Sequence, residues 1–164
     1  MATRRTFMAA GLGLATVSLR PSASAQTQPF VLYDDELKNG WQNWSWAKVE
    51  LTTPAGGAKP IKVQGDPWSA LALHHDAFPT TGYTKLTFVI NGGQQGGQEL
   101  AVKAMVDGKP VEASYFIQPK AKTWSRVEVP LKELGAEGKL IDGIAVQGQA
   151  NAYNAYFITR IQFE

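Results

Sequence analysis

Short alternating runs of apolar and polar residues, cut at close intervals by Gly, Pro, Asn and Asp, constrain this chain more than any other feature. In Trp44–Leu51, Ser45, Ala47, Val49 and Leu51 fall on one side, and Trp44, Trp46, Lys48 and Glu50 fall on the other. Leu86, Phe88 and Ile90 share a side, as do Leu100, Val102, Ala104 and Val106. Val127 and Val129 alternate with Arg126 and Glu128. Near the end, Phe157, Thr159, Ile161 and Phe163 line up opposite Ile158 and Arg160. A period of two marks a strand with one face toward a core. Between the runs stand Asn39-Gly40, Gly56-Gly57, Gly65-Asp66-Pro67, Asn91-Gly92-Gly93, Gly96-Gly97 and Asp107-Gly108, which are turn material. Strand-like pieces about 8–12 residues apart, each with an apolar face that needs a second layer, predict an all-β antiparallel β-sandwich, a jelly roll of roughly eight to ten strands. Leu131–Gly135, after Pro130, reads as a single helical turn.

The 164 residues fit one domain behind a leader. Residues 1–25 read as a cleaved export signal. Thr3-Arg4-Arg5-Thr6-Phe7 gives a basic start, Phe7–Leu19 is apolar but too short to span a membrane, and Ala23-Ser24-Ala25 offers small residues for cleavage. The pattern resembles a twin-arginine leader, which implies folding before export. A general-secretion signal that carries two arginines is the alternative. Either one places the mature protein in the periplasm or outside the cell. Gln26–Pro29 reads as a short flexible start and 30–164 as the single domain. Removing Arg4, Arg5 and Arg20 leaves 13 basic against 14 acidic residues, so the net charge of +2 becomes −1. No basic field remains for nucleic acid or anionic lipid. No apolar run in the body approaches the roughly 20 residues of a membrane span. Cysteine is absent, which excludes disulfides, thiolate zinc sites and cysteine nucleophiles.

Several phrases together resemble a known fold family. They are Tyr33-Asp34-Asp35-x-Leu37, Asn39-Gly40-Trp41-Gln42-Asn43-Trp44-Ser45-Trp46, Pro67-Trp68, Leu73-His74-His75, Gly82-Tyr83, Asn91-Gly92-Gly93 and Trp124-x-x-Val127-x-Val129-Pro130-Leu131. From Phe30 to Glu164 the chain resembles the galactose-binding-like β-jelly roll used by non-catalytic carbohydrate-binding modules. The resemblance implies a monomeric binder of polysaccharide or glycan that needs no cofactor. Many such folds also hold a structural calcium, for which Asp34 and Asp35 are the candidates. The last strand carries no carboxylate before Glu164, short of the six to eight oxygens calcium takes.

Sugars present flat C–H patches to aromatic rings and hydroxyls to fixed polar groups. Trp44 and Trp46 share a face with Lys48 and Glu50, which are costly to bury, so that face points to water. Two strand residues at i and i+2 place their rings about 7 Å apart. Trp41, Gln42 and Asn43 lie just before them, and Trp68 follows a Gly-Asp-Pro turn. His75 completes the candidate ligand-binding set; neighbouring His74 should point to the opposite face, so the two cannot chelate one ion together. Trp124 opens a strand and reads as a packing residue. The loop Gln147–Asn154 is rich in amides that suit hydroxyls or a solvated connection equally well. No Gly-x-Ser-x-Gly elbow or phosphate loop is present. The leading expectation is an exported, non-catalytic carbohydrate-binding protein. The rivals are a small jelly-roll hydrolase or lyase using His74 or His75, and a structural envelope or matrix interaction protein.

Overall fold

The computed structural model describes residues 27–164. The leader expected over residues 1–25, and Gln26, lie outside the described residues. The strands are β1 (Phe30–Tyr33), β2 (Gln42–Asn43), β3 (Lys48–Glu50), β4 (Ile61–Gly65), β5 (Ala70–Pro79), β6 (Lys85–Asn91), β7 (Leu100–Val106), β8 (Lys109–Pro110), β9 (Tyr115–Ile117), β10 (Trp124–Pro130), β11 (Leu140–Gly148) and β12 (Tyr153–Phe163). They form two six-stranded sheets. The first runs β10-β6-β12-β4-β3, with β1 also on β12; the second runs β2-β5-β11-β7-β8, with β9 also on β7. Every pairing is antiparallel. The fold is the expected all-β sandwich, and two-residue pieces such as β2 and β8 carry the strand count above the expected range. The expected helical turn at Leu131–Gly135 is a run of three successive tight turns and not a helix: Glu133, Leu134 and Gly135 N–H donate to the Pro130, Leu131 and Lys132 carbonyls.

The core lies between the sheets. Leu71, Leu73, Val102, Ile144 and Val146 face Leu86, Phe88, Ile90, Val129, Ile158 and Phe163, all buried in one cluster. Burial of each large side chain stabilises the fold by roughly 1.5–3 kcal/mol. The run Trp44–Leu51 keeps its predicted alternation, but it does not stay in one sheet. Trp44 N–H donates to the Ala72 carbonyl, and Trp46 and Ala47 N–H both donate to the Ala70 carbonyl, alongside β5. The chain then turns into β3, which pairs with β4 of the other sheet. Alternation survives because the core is the inner side of both sheets, so Ala47, Val49 and Leu51 pack on it throughout.

The last strand departs from the simple alternation. Tyr156 and Ile158 point inward rather than Phe157, and Ile161 and Phe163 are inward after them. The register against β6 slips between Thr159 and Gln162, and Arg160 has φ 52°. This β-bulge inserts one residue and changes which positions face the core. An even spacing read through it mistakes the side of Phe157.

Candidate functional site

The outward face of the second sheet has an unusual floor. Ala70, Ala72, Met105 and Ala145 form a buried cluster separate from the core. They sit at positions alternate to Leu71, Leu73, Ala104 and Ile144, so they lie on the outer side. The register aligns His74, Gly143 and Met105 in one cross-strand row, and Ala72, Ala145 and Lys103 in the next. A third row joins Ala70, Gln147, Ala101 and Phe116. Small residues keep the floor low enough for rings to lie across it. Lys103 Nζ is turned to the sheet edge, where it donates to the Val111 and Glu112 carbonyls at 3.0 and 3.1 Å.

Three indoles stand on this side, with Trp44 48%, Trp46 46% and Trp68 53% exposed. Trp44 lies flat on His74, with ring centroids 3.5 Å apart and planes 2° from parallel. Its Nε1–H donates to Gln42 Oε1 at 3.0 Å. Its far edge reaches the β7–β8 turn at Gly108, where an added methyl would stand 3.3 Å from the ring. Close by, His74 Nε2 stands 3.7 Å from Asp142 Oδ2, and that oxygen accepts the Gly108 N–H at 2.7 Å. Trp44 therefore has one face against the protein and one open to solvent.

Trp68 is positioned by its backbone. It has φ 64°, a conformation uncommon for a bulky residue. Its N–H donates to the Gln149 carbonyl at 3.0 Å. Its own carbonyl accepts Trp46 Nε1–H at 3.0 Å and Gln147 Nε2–H at 2.9 Å. Three hydrogen bonds thus over-determine a strained residue, and Trp46 is tied to Trp68 through one of them. Beneath the turn, Tyr153 OH donates to the Ser69 carbonyl at 3.2 Å and lies 3.1 Å from Ser69 Oγ. A methyl on Gly148 would overlap the Tyr153 ring, so the close approach requires glycine there. Burial raises the Tyr153 phenol, so it stays a neutral donor at ordinary pH. Beside Trp46 a polar groove of about 340 Å³ is lined by Lys48, Gln64, Asp66, Ser69 and Asn154 among others.

Two residues expected at the ligand are elsewhere. Trp41 is only 3% exposed and packs among Phe30, His75, Phe78 and Phe163. The turn through Asn39 and Gly40, both at positive φ, directs its ring inward, opposite to Gln42. His75 faces the same aromatic cluster, and both its ring nitrogens sit on carbonyls, Nδ1 2.7 Å from Asp76 O and Nε2 3.0 Å from Asn39 O. His74, not His75, is the histidine on the tryptophan side, as the opposite directions of neighbouring strand residues require. Asn43 is exposed at the β2 edge, but its Oδ1 accepts the Ser45 N–H at 3.1 Å and Ser45 Oγ–H at 2.6 Å. Trp124 is 44% exposed on the outer side of the first sheet, so its expected packing role gives way to a surface position. Asp35 Oδ1 accepts the Lys59 N–H at 2.7 Å, and Asp34 is exposed beside it. Among the described residues no three His, Cys, Asp or Glu side chains gather closely enough to hold a metal ion. No helix among them is long and apolar enough to cross a membrane. Phe116, outward on β9, escaped the sequence reading because its strand is too short to display a period.

Fold and ridge together define a β-jelly roll with a row of aromatic rings on one sheet. Among solved structures, the chain is similar to mutants of a family 29 carbohydrate-binding module. One has TM-score 0.64 at 13% identity, covering 84% of this chain and 92% of that one. Another, complexed with cellulohexaose, has TM-score 0.62 at 15% identity and covers 82% and 89%. A third, complexed with mannohexaose, has TM-score 0.61 at 14% identity and covers 82% and 89%. At these identities the likeness is one of fold, and the chain has the jelly roll of those modules. In sequence it is 27% identical over 128 residues to an endoglucanase of Dictyostelium discoideum. The match takes in 71% of this chain but 18% of that protein's length. No family model matches the chain.

Proposed function

We propose that this protein binds polysaccharide without cleaving it, by laying successive sugar rings on Trp44, Trp46 and Trp68. The observation that carries the reading is the ridge itself: three half-exposed indoles, with the Trp44 and Trp46 rings held by neighbours and Trp68 fixed through its backbone, beside small side chains of the sheet. Rings fixed before binding lose little freedom when a ligand arrives, so more of the stacking energy appears as affinity. Gln42 and Gln64, with Asp66 and Lys48 at the rim, supply the directional contacts to hydroxyls. Two of the jelly-roll neighbours, one complexed with cellulohexaose and one with mannohexaose, support a neutral hexose polymer as the ligand class. The match to a small part of an endoglucanase suits a binding segment more than a catalytic one. His74, beside Asp142, has one ring face covered by Trp44, which leaves less of its imidazole open for acid–base work. Export through the leader at residues 1–25 would bring the protein to its polymer.

Affinity electrophoresis of the mature domain in gels containing soluble β-glucans and mannans tests the reading. Wild-type protein should be retarded, and Trp44→Ala/Trp46→Ala should run as in an empty gel while melting at nearly the same temperature. Equal mobility of the two proteins in every gel would remove the ridge as the site. Steady release of reducing ends by wild-type protein would favour a hydrolase.

A further inference from the structure

We propose that the glycan-binding surface continues beyond Trp68 into a groove that ends on Phe116, with Phe116 as its outermost stacking ring. The proposal rests on the carbohydrate-binding reading above. On the far side of Trp68 a groove of about 620 Å³ opens, lined by Trp68 and Phe116, by the β7 start and β9 at Leu100 and Ile117, and by Glu99, Gln118 and Gln149. Phe116 closes it. At 67% exposure it is the most open large apolar side chain among the described residues.

Its position follows from the strand. Tyr115 and Ile117 pack on the core, so Phe116 between them must point outward. Its partner is Ala101, which places it in the row that crosses the floor to Ala70. Three strand spacings set Phe116 about 14 Å from the β5 edge. Trp68 is a wall of this groove and also the end of the ridge, so the two surfaces are continuous. Two exposed aromatic rings lining one groove suit the C–H faces of a sugar ring; one carboxylate and two amides beside them suit its hydroxyls. A second copy of the chain is the poorer fit, because two rings and a short floor fall far below the roughly 800 Å² per partner of a stable interface. The occupant is the next stretch of the same glycan.

Calorimetric titration of the mature domain with cellulohexaose and with the trisaccharide of the same series tests this, repeated with the two mannose oligomers. On this proposal a trisaccharide stays on the indoles and a hexasaccharide extends into the groove. Phe116→Ala should weaken hexasaccharide binding about tenfold, the size of one lost stacking contact, and leave the trisaccharide within about twofold. Gln118→Ala should weaken the hexasaccharide by about threefold. Hexasaccharide affinity unchanged in both variants would overturn the groove while leaving the ridge intact, and so would an equal loss at both lengths. A dimer in sedimentation that Phe116→Ala splits would assign the ring to an interface between copies instead. Wild-type protein that binds neither length would remove the carbohydrate reading and this extension with it.

Discussion

On the outward face of the first sheet, Lys85 meets Glu128 at 2.9 Å, Arg126 meets Glu164 at 2.9 Å and Lys62 meets Glu50 at 3.3 Å. On the outward face of the second sheet, the corresponding positions hold Ala70, Ala72, Gly143 and Ala145, with Trp44 stacked on His74 next to them and Trp46 and Trp68 exposed nearby. Both faces obey the same period of two, and both look outward. The first meets solvent largely through mutually compensated ions, which contribute little stability each, with Trp124 as a single exposed ring at one end. The second leaves aromatic area open that the fold does not need for its core. An exposed apolar surface on a charged, otherwise ordinary sandwich is the informative feature, because single surface apolar residues need no explanation and a supported row of them does.

Changing one face and leaving the other alone sharpens the contrast. The largest effect expected is from Trp68→Ala, which removes a ring of the ridge. Retention on glycan should fall by roughly tenfold to a hundredfold, from one to two lost stacking contacts of about 1.4 kcal/mol. By comparison, Arg126→Ala/Glu128→Ala on the first sheet should leave retention unchanged. If both variants lose binding alike, the two faces do not differ in function. A smaller effect is expected at His74, a positioning residue beneath Trp44. His74→Ala should weaken binding about fivefold, and His74→Phe, which restores a flat support, should recover most of it. Failure of the phenylalanine variant to rescue would mean that the stack does not position the ring.

On the first face, acid should act on stability through Glu164. Gln162 first, then Arg126 and Thr87, hydrogen-bond the Glu164 carboxylate and hold it down to about 2. A carboxylate lowered on folding stabilises the native state above its unfolded value, and the gain is lost as pH falls from about 4.5 toward 2. Because this side chain is partly solvated, the loss is discounted to about 1 kcal/mol, or about 3 °C in Tm. Glu164→Gln should melt lower at pH 7 and show a shallower fall in acid than wild type. Parallel pH curves would mean that the carboxylate does not contribute. The smallest effect is expected from calcium. With Asp35 already bonded to the Lys59 amide, chelation should move Tm by less than about 1 °C, whereas a bound structural ion would make the shift several degrees.

The sandwich and much of its core were legible because burial repeats every second residue, and Leu86, Phe88, Ile90, Leu100 and Val102 announce it locally. The outward direction of Trp44 and Trp46 was legible for the same reason, through Lys48 and Glu50. Trp41 and His75 were misplaced because a positive-φ turn and a strand neighbour reverse direction within one residue. Nothing in the local residue pattern marks which side of such a turn lies inward. Phe157 was misread across the Arg160 bulge, whose one-residue slip leaves no mark in composition.

By itself, the sequence determined the class: strands, two layers, and an aromatic run too polar on its own side to be core. Those are local properties, set by period, turn chemistry and the cost of burying charge. Only the tertiary structure decided that Trp68, far along the chain, joins Trp44 and Trp46, that His74 supports them, and that Phe116 closes the same face. Cross-strand register makes those neighbours, and register depends on bulges and sheet exchange that act between segments distant in the chain.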